Sequence, residues 1–311
     1  MNFIVGARGS KLSQAQTNWV ISELQKIDPS SSFEFRTITT KGDTDTRPLF
    51  AMEQKGVFEK EIDRAVFEKE IDFAVHSLKD VPSQLGENLV IACVPKREAI
   101  NDVLITMDGY DIDSIPSNSV IGSSSLRRAV QIIRKRPDLN VKPIRGNIET
   151  RISKVIDGKF DGIILAQAGI TRLGLDVKLS KLSPDDFPPS PGQGAIAIVC
   201  REDDTKTLKL LQKIEDPKSR KETDAERALS DSVDSGCRFP VGAFAVSDSN
   251  SLTLKVAVYS MDGKKSIILE KSDNIHNAIE LGKSLGGELK DRGVSEIASN
   301  WREELEEWNK Q

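Results

Sequence analysis

Along the first half of the chain, short apolar runs alternate with amphipathic stretches. Phe3 to Ala7 reads as a strand and Ser13 to Ile27 as a helix, with Ala15, Trp19, Val20, Ile21 and Leu24 spaced for one face. Phe33 to Thr39 predicts a second strand, and Val57 to Phe67 a second helix. Phe73 to Val75 is a short buried strand that runs into His76-Ser77-Leu78-Lys79-Asp80-Val81-Pro82. Strands alternating with helices predict a mainly parallel sheet with crossover connections. Residues 42–54 lack periodicity and are rich in Asp, Thr and Gly, which suits either a plain surface loop or a lid.

The pattern restarts near residue 100. Ser119 to Gly122 predicts a strand entering Ser123-Ser124-Ser125, followed by a helix over Leu126 to Lys135. A strand near Val141, a helix over Glu149 to Ile156 and an apolar strand at Ile163 to Ala166 complete a second α/β unit. Phe187-Pro188-Pro189-Ser190-Pro191-Gly192-Gln193-Gly194 interrupts this order, and Ala195 to Cys200 then reads as a strand able to return to the first sheet. The polar stretch 216–224 resembles a linker. Beyond it come a helix (Ala225–Ser232), strands Gly242–Val246 and Leu252–Tyr259, and helices Ile275–Leu285 and Ile297–Trp308. The expected organisation is two α/β lobes, 1–97 with 196–215 and 98–195, plus a smaller C-terminal α+β domain over 216–311.

A length of 311 residues suits two or three domains, and a net charge of −4 argues against bulk attraction to nucleic acid or an anionic membrane. Three widely spaced cysteines make no disulfide framework and point to a reducing compartment. His76 and His276 leave too few soft ligands for a zinc or iron–sulfur site. The apolar run before Arg8 is too short for an export signal, and no stretch reaches the length of a membrane span. A cytoplasmic protein is expected, and a monomer, because no long exposed apolar stripe asks for a partner.

Cys237 lies in Asp234-Ser235-Gly236-Cys237-Arg238-Phe239-Pro240, a loop whose arginine favours the thiolate; it reads as a nucleophile or as an idle loop thiol. Ser123 to Ser125 at a strand-to-helix junction suit either simple capping or an anion site. Arg127 and Arg128 follow in the first helical turn, where positive charge opposes the helix dipole and an anion is called for. Arg8, Arg145, Arg151 and Arg172 also stand at element ends. Their guanidinium forks match carboxylates, and no phosphate-binding glycine motif is present. Asp80 is either a turn residue paired locally or a carboxylate that stabilises a developing cation. His76 reads as a satisfied buried histidine, and Cys93 and Cys200 as inert core thiols.

Taken in order along the chain, these segments resemble the porphobilinogen deaminases. Ala7-Arg8-Gly9-Ser10-Lys11-Leu12, Lys55-Gly56-Val57-Phe58, the His76–Pro82 segment, Gly122–Arg128, Arg145-Gly146-Asn147 with Arg151, Gly192-Gln193-Gly194 and the Cys237 loop carry the resemblance. It implies two lobes like those of periplasmic binding proteins, an active cleft between them, and a third domain whose Cys237 holds a dipyrromethane cofactor by a thioether bond. Four porphobilinogen molecules would be joined head to tail with loss of ammonia, and hydroxymethylbilane released by hydrolysis. Asp80 would be the catalytic carboxylate, stabilising an azafulvenium cation and aiding pyrrole proton transfer. Arg8, Ser10, Lys79, Arg127, Arg128, Arg145, Arg151 and Arg172 match positions that bind cofactor and substrate carboxylates, and Phe58 an aromatic near the growing chain. Lys55, Ser123, Ser124, Ser125 and Gln193 are expected in the same binding site. The rival expectation is a non-catalytic two-lobed binding protein for a small anion.

Overall fold

The computed structural model describes residues 1–40, 60–82, 84–233, 241–297 and 301–310. The chain forms two compact units, residues 1–98 with 194–220 and residues 99–193 with 221–311.

In the first unit β1 (Asn2–Ala7), β2 (Ser32–Thr37), β3 (Phe73–Ser77) and β4 (Leu89–Cys93) share a sheet with β10 (Ile196–Arg201), in the order β2-β1-β3-β10-β4. β1 runs parallel to β2 and β3, and β10 is antiparallel to β3 and β4. The apolar strand after the proline-rich segment thus returns to the first sheet. Alternate residues serve opposite faces: Phe73 and Val75 join Phe3, Val20 and Leu24 on one side, while Ala74 joins Ile62, Val66 and Ile71 on the other.

In the second unit β5 (Asp102–Thr106), β6 (Val120–Ser123), β7 (Asn140–Pro143), β8 (Gly162–Ala166) and β9 (Leu179–Lys181) take the order β7-β6-β8-β5-β9. Three parallel strands are again followed by an antiparallel one, β5, so the two sheets share one plan. Leu104 faces one core cluster and Val103 and Ile105 the other. A separate antiparallel sheet, β11 (Val241–Asp248), β12 (Ser251–Tyr259) and β13 (Ser266–Asn274), packs Leu252, Leu254, Val256 and Val258 against Leu281, Leu285 and Leu289 of the helix Ala278–Asp291. The mixed α/β class with a smaller C-terminal α+β part is as the sequence predicts.

Three expectations are corrected. The stretch 216–224 is no linker: Pro217–Val233 is one helix, opened by Asp216, whose Oδ1 accepts the Ser219 N–H at 2.7 Å. Its polar character misleads because Ser219, Glu222, Thr223 and Glu226 are buried with partners. In the helix Lys11–Ile27 the buried face is Ser13, Gln16, Thr17, Val20 and Leu24, whereas Trp19 is exposed. The predicted helix Ile275–Leu285 starts three residues later and runs over Ala278–Asp291, because β13, which the sequence pattern did not reveal, extends to Asn274 and a single 3₁₀ turn intervenes. Among the described residues, no helix is long and apolar enough to cross a membrane.

Candidate active site

In open α/β sheets, ligands meet the loops that follow the carboxyl ends of parallel strands. In the first unit β1 delivers Arg8, Gly9 and Ser10 to that edge, and β3 delivers Ser77 to Asp80. Ser10 caps the helix Lys11–Ile27, its hydroxyl accepting the Ser13 N–H at 3.3 Å. One turn further on, the buried Gln16 donates through Nε2 to Ser77 Oγ at 2.9 Å. Ser77 precedes a single 3₁₀ turn, Leu78–Asp80, which is anchored by the Leu78 N–H on the Ala195 carbonyl at 3.0 Å. Leu78 fills the core, so the next two side chains, Lys79 and Asp80, project to solvent. The same local geometry therefore presents a carboxylate and an ammonium at the strand edge.

His76 lies on this strand and is buried as expected, but it is not satisfied: its Nε2 is 3.3 Å from Asp63 Oδ1, and neither atom has a hydrogen-bond partner among the described residues. Burial pushes the Cys93 thiol up strongly and the Cys200 thiol up to about 12, so both are inert at neutral pH.

In the second unit β6, β7 and β8 are parallel and their carboxyl ends lead to Ser124, to Arg145 and to Gln167 respectively. Ser123 is fully buried: its Oγ donates to the Ser125 carbonyl at 2.9 Å and accepts the Ser125 N–H at 3.1 Å, while Ser124 Oγ donates to the Ile144 carbonyl. Ser125 occupies the N-cap of Leu126–Lys135 without spending its hydroxyl on a cap bond.

The positive pair at this helix start has a resident counter-ion. Asp102, the first residue of β5, accepts Arg127 Nη2 at 2.8 Å on Oδ2 and Arg128 Nη2 at 2.7 Å on Oδ1. Gln193 joins them, donating to Asp102 Oδ1 at 2.8 Å and accepting from Arg128 at 3.2 Å. Burial alone would raise the Asp102 pKa, but the two guanidiniums and the hydrogen bonds hold it well below the usual carboxylate range. Arg127 is further occupied by the Pro188 carbonyl at 2.7 Å and by Gln131 at 3.1 Å. Arg128 differs: its Nε is buried and has no hydrogen-bond partner among the described residues. Burial and the Arg128 charge lower Arg151 to about 10, and its Nε donates to the Gly146 carbonyl at 2.7 Å.

Two guanidiniums against one carboxylate, with Arg151 adding a third charge that burial and Arg128 disfavour, leave an unneutralised excess of cation. That excess, together with the unsatisfied Arg128 Nε and the open Ser125 hydroxyl, fits an anionic group rich in carboxylates such as a dipyrromethane. Arg172 stands apart in sequence placement, in the last turn of the helix Gln167–Leu173, where a cation complements the helix terminus. Cys237, Lys55, Phe58 and the stretch 43–57 lie outside the described residues.

Sequence reasoning missed Asp102, Gln131 and Gln16. The signal for Asp102 was an acid opening a wholly apolar strand, Val103-Leu104-Ile105, where a charge has to find partners.

Comparison with known proteins finds relatives along the full length of the chain. Residues 3–209 match the model described as "Porphobilinogen deaminase, dipyromethane cofactor binding domain", and residues 221–291 match "Porphobilinogen deaminase, C-terminal domain". The chain is 64% identical over 310 residues to the "Probable porphobilinogen deaminase" of Nitrosopumilus maritimus (strain SCM1), covering 100% of both. It is 42% identical over 307 residues to the "Porphobilinogen deaminase" of Bacillus velezensis (strain DSM 23117 / BGSC 10A6 / LMG 26770 / FZB42), covering 97% of each. Matches of this extent, falling on the segments that build both strand-edge sites, make the chain a member of the porphobilinogen deaminase family.

Proposed function

We propose that this chain joins porphobilinogen units head to tail, with one ammonia lost at each addition, and releases hydroxymethylbilane by hydrolysis. The observation that carries this reading is the full-length 64% identity to a probable porphobilinogen deaminase. It is supported by the exposed Asp80 on its fixed turn and by the buried arginine cluster around Asp102.

Cys237 is proposed as the point of attachment of a dipyrromethane, which when bound supplies the free pyrrole position to which units are added. Asp80 stabilises the positive charge that develops on an incoming pyrrole as ammonia leaves, and its carboxylate accepts the pyrrole N–H. Lys79, Arg8 and Ser10 bind acetate and propionate groups beside it. Arg128, Arg151, Arg145, Arg172 and the Ser123–Ser125 segment bind further carboxylates, while Arg127 holds the helix start in place. Lys55, Phe58 and Gln193 belong to the same proposed binding set. Three parts of the chain are proposed as domains: 1–97 with 196–215, 98–195 and 216–311; each has its own sheet. A reducing cytoplasmic setting and a monomeric state complete the proposal, the former supported by the free, buried Cys93 and Cys200.

Intact mass of the purified protein, before and after porphobilinogen is added, tests the reading. Extra mass equal to two linked pyrroles is expected, absent in Cys237→Ala, with further one-pyrrole steps on adding substrate. An unmodified mass that stays unmodified would leave a binding protein for a small anion.

A further inference from the structure

The segment Phe187 to Gln193 lies between the arginine-bearing helix Leu126–Lys135 and strand β11. On one side the Pro188 carbonyl accepts from Arg127 at 2.7 Å and from Gln131 at 3.0 Å. On the other, the Pro189 carbonyl accepts the Ala243 N–H at 2.8 Å. The approach is so close that a Cβ at Gly242 would stand 2.5 Å from the Pro188 carbonyl oxygen, which only glycine permits.

Among the described residues β11 is an edge strand, paired only with β12, so alternate N–H groups point outward. They are met by Pro189 and by two buried carboxylates one turn apart on the helix Pro217–Val233. Glu222 Oε1 accepts the Ser247 N–H at 2.9 Å and the Ser247 hydroxyl at 2.8 Å. Glu226 Oε1 accepts the Ala245 N–H at 2.8 Å, but its other oxygen accepts the Gly192 N–H at 2.6 Å. Covering a strand edge accounts for the contacts of Glu222 with Ser247. It does not account for the contact of Glu226 with Gly192.

Gly192 has φ +74°, and the residue after it, Gln193, bonds both Asp102 and Arg128. The helix ends at Val233 and β11 begins at Val241, so these two elements are the segments that flank residue 237. We propose that Glu226 is a positioning residue: it ties the two segments that flank residue 237 to the Gly192–Gln193 turn and so sets the Asp102–Arg128 contact relative to those two segments. Its consequence for cofactor loading rests on the function proposed above; the coupling itself does not.

The chemistry gives a clean variant. Glu226→Gln keeps the shape but replaces one acceptor oxygen with an NH2 that faces a backbone N–H. Glu222→Gln is the control, a buried carboxylate one helical turn away that covers the same strand edge through Ser247. Amide hydrogen exchange of the full chain is the first readout. Glu226→Gln should speed exchange at Gly192 and Gln193 by at least about tenfold, with Glu222→Gln within about twofold of the parent protein. The second readout is the fraction of chains carrying a two-pyrrole adduct, with KM and kcat for porphobilinogen: a fall of about tenfold in loading or kcat/KM is expected for Glu226→Gln alone. Unchanged exchange at Gly192, or equal effects of the two variants, would overturn the proposal. If the parent protein carries no adduct, the cofactor reading fails while the exchange comparison still decides the coupling. Should Glu226→Gln not fold, the parent protein decides: the Gly192 and Ala245 amides should exchange within about threefold of one another, and a gap above about tenfold overturns the shared clamp.

Discussion

Asp102 Oδ2 receives Arg127 Nη2 at 2.8 Å where both side chains are almost wholly out of water, at 1% and 6% exposure. A charge pair in that setting contributes little by existing and a great deal by not being broken. Arg127 reaches from the helix Leu126–Lys135 to the first residue of β5, and its second nitrogen reaches Pro188. The pair thus ties three separate stretches of one lobe together at the edge where substrate carboxylates are proposed to bind.

Asp102→Asn leaves two buried guanidiniums short of their counter-ion, with a loss of about 3–5 kcal/mol expected. Chemical denaturation measures it. The pH dependence has a definite sign. The native carboxyl is held below its ordinary value, so its contribution is complete above about pH 4 and is lost as pH falls through the lower native value. The acid-side fall in stability should therefore be shallower in Asp102→Asn than in the parent protein.

Asp80 is exposed and has no ion-pair partner among the described residues, so Asp80→Ala should change stability by no more than about 0.5 kcal/mol. Turnover of porphobilinogen should be almost abolished. Near-normal turnover in a folded Asp80→Ala protein would remove the proposed role.

Gln16→Leu leaves the half-buried Ser77 hydroxyl without its Gln16 partner beneath the Asp80 turn, a loss of about 0.5–1.5 kcal/mol. A drop in kcat larger than the change in KM is expected, because Ser77 opens the turn that carries Asp80. A variant that loses stability but keeps kcat would make the Gln16–Ser77 bond purely structural.

Arg151 is lowered to about 10 by burial and by Arg128, so its charge is disfavoured in the folded chain. Arg151→Met should leave the thermal midpoint unchanged or raise it, while KM for porphobilinogen rises; sites built for ligands trade stability in this way. A lowered midpoint together with an unchanged KM would assign Arg151 to the scaffold.

With its thiol raised to about 12, Cys200 has a thiolate fraction on the order of 10⁻⁴ near pH 8, and Cys93 has less. Cys237→Ala protein should show no fast thiol labelling until unfolded, when both remaining cysteines react. Rapid labelling of the folded variant would show one of these strands opening readily.

Much of this molecule was readable from local pattern. The alternation of apolar strands with amphipathic helices fixed both lobes, because period-two and period-3.6 burial leave their mark within a few residues. The turn at Ser77–Asp80 was readable too, since a buried strand ending in a polar run and Val81-Pro82 must surface there. The nature of the arginine cluster was not. Its counter-ion comes from β5, 25 and 26 residues away from Arg127 and Arg128, and only strand pairing brings the charges together. The helix Pro217–Val233 was hidden for a related reason. Polar residues predict solvent unless buried partners satisfy them, and those partners, Ser247, Ala245 and Gly192, belong to elements that meet only in the folded chain. Sequence alone determined which chemistry this chain carries and on which strand ends. Tertiary structure decided which charges are already spent on one another, because burial and pairing depend on neighbours that are distant along the chain.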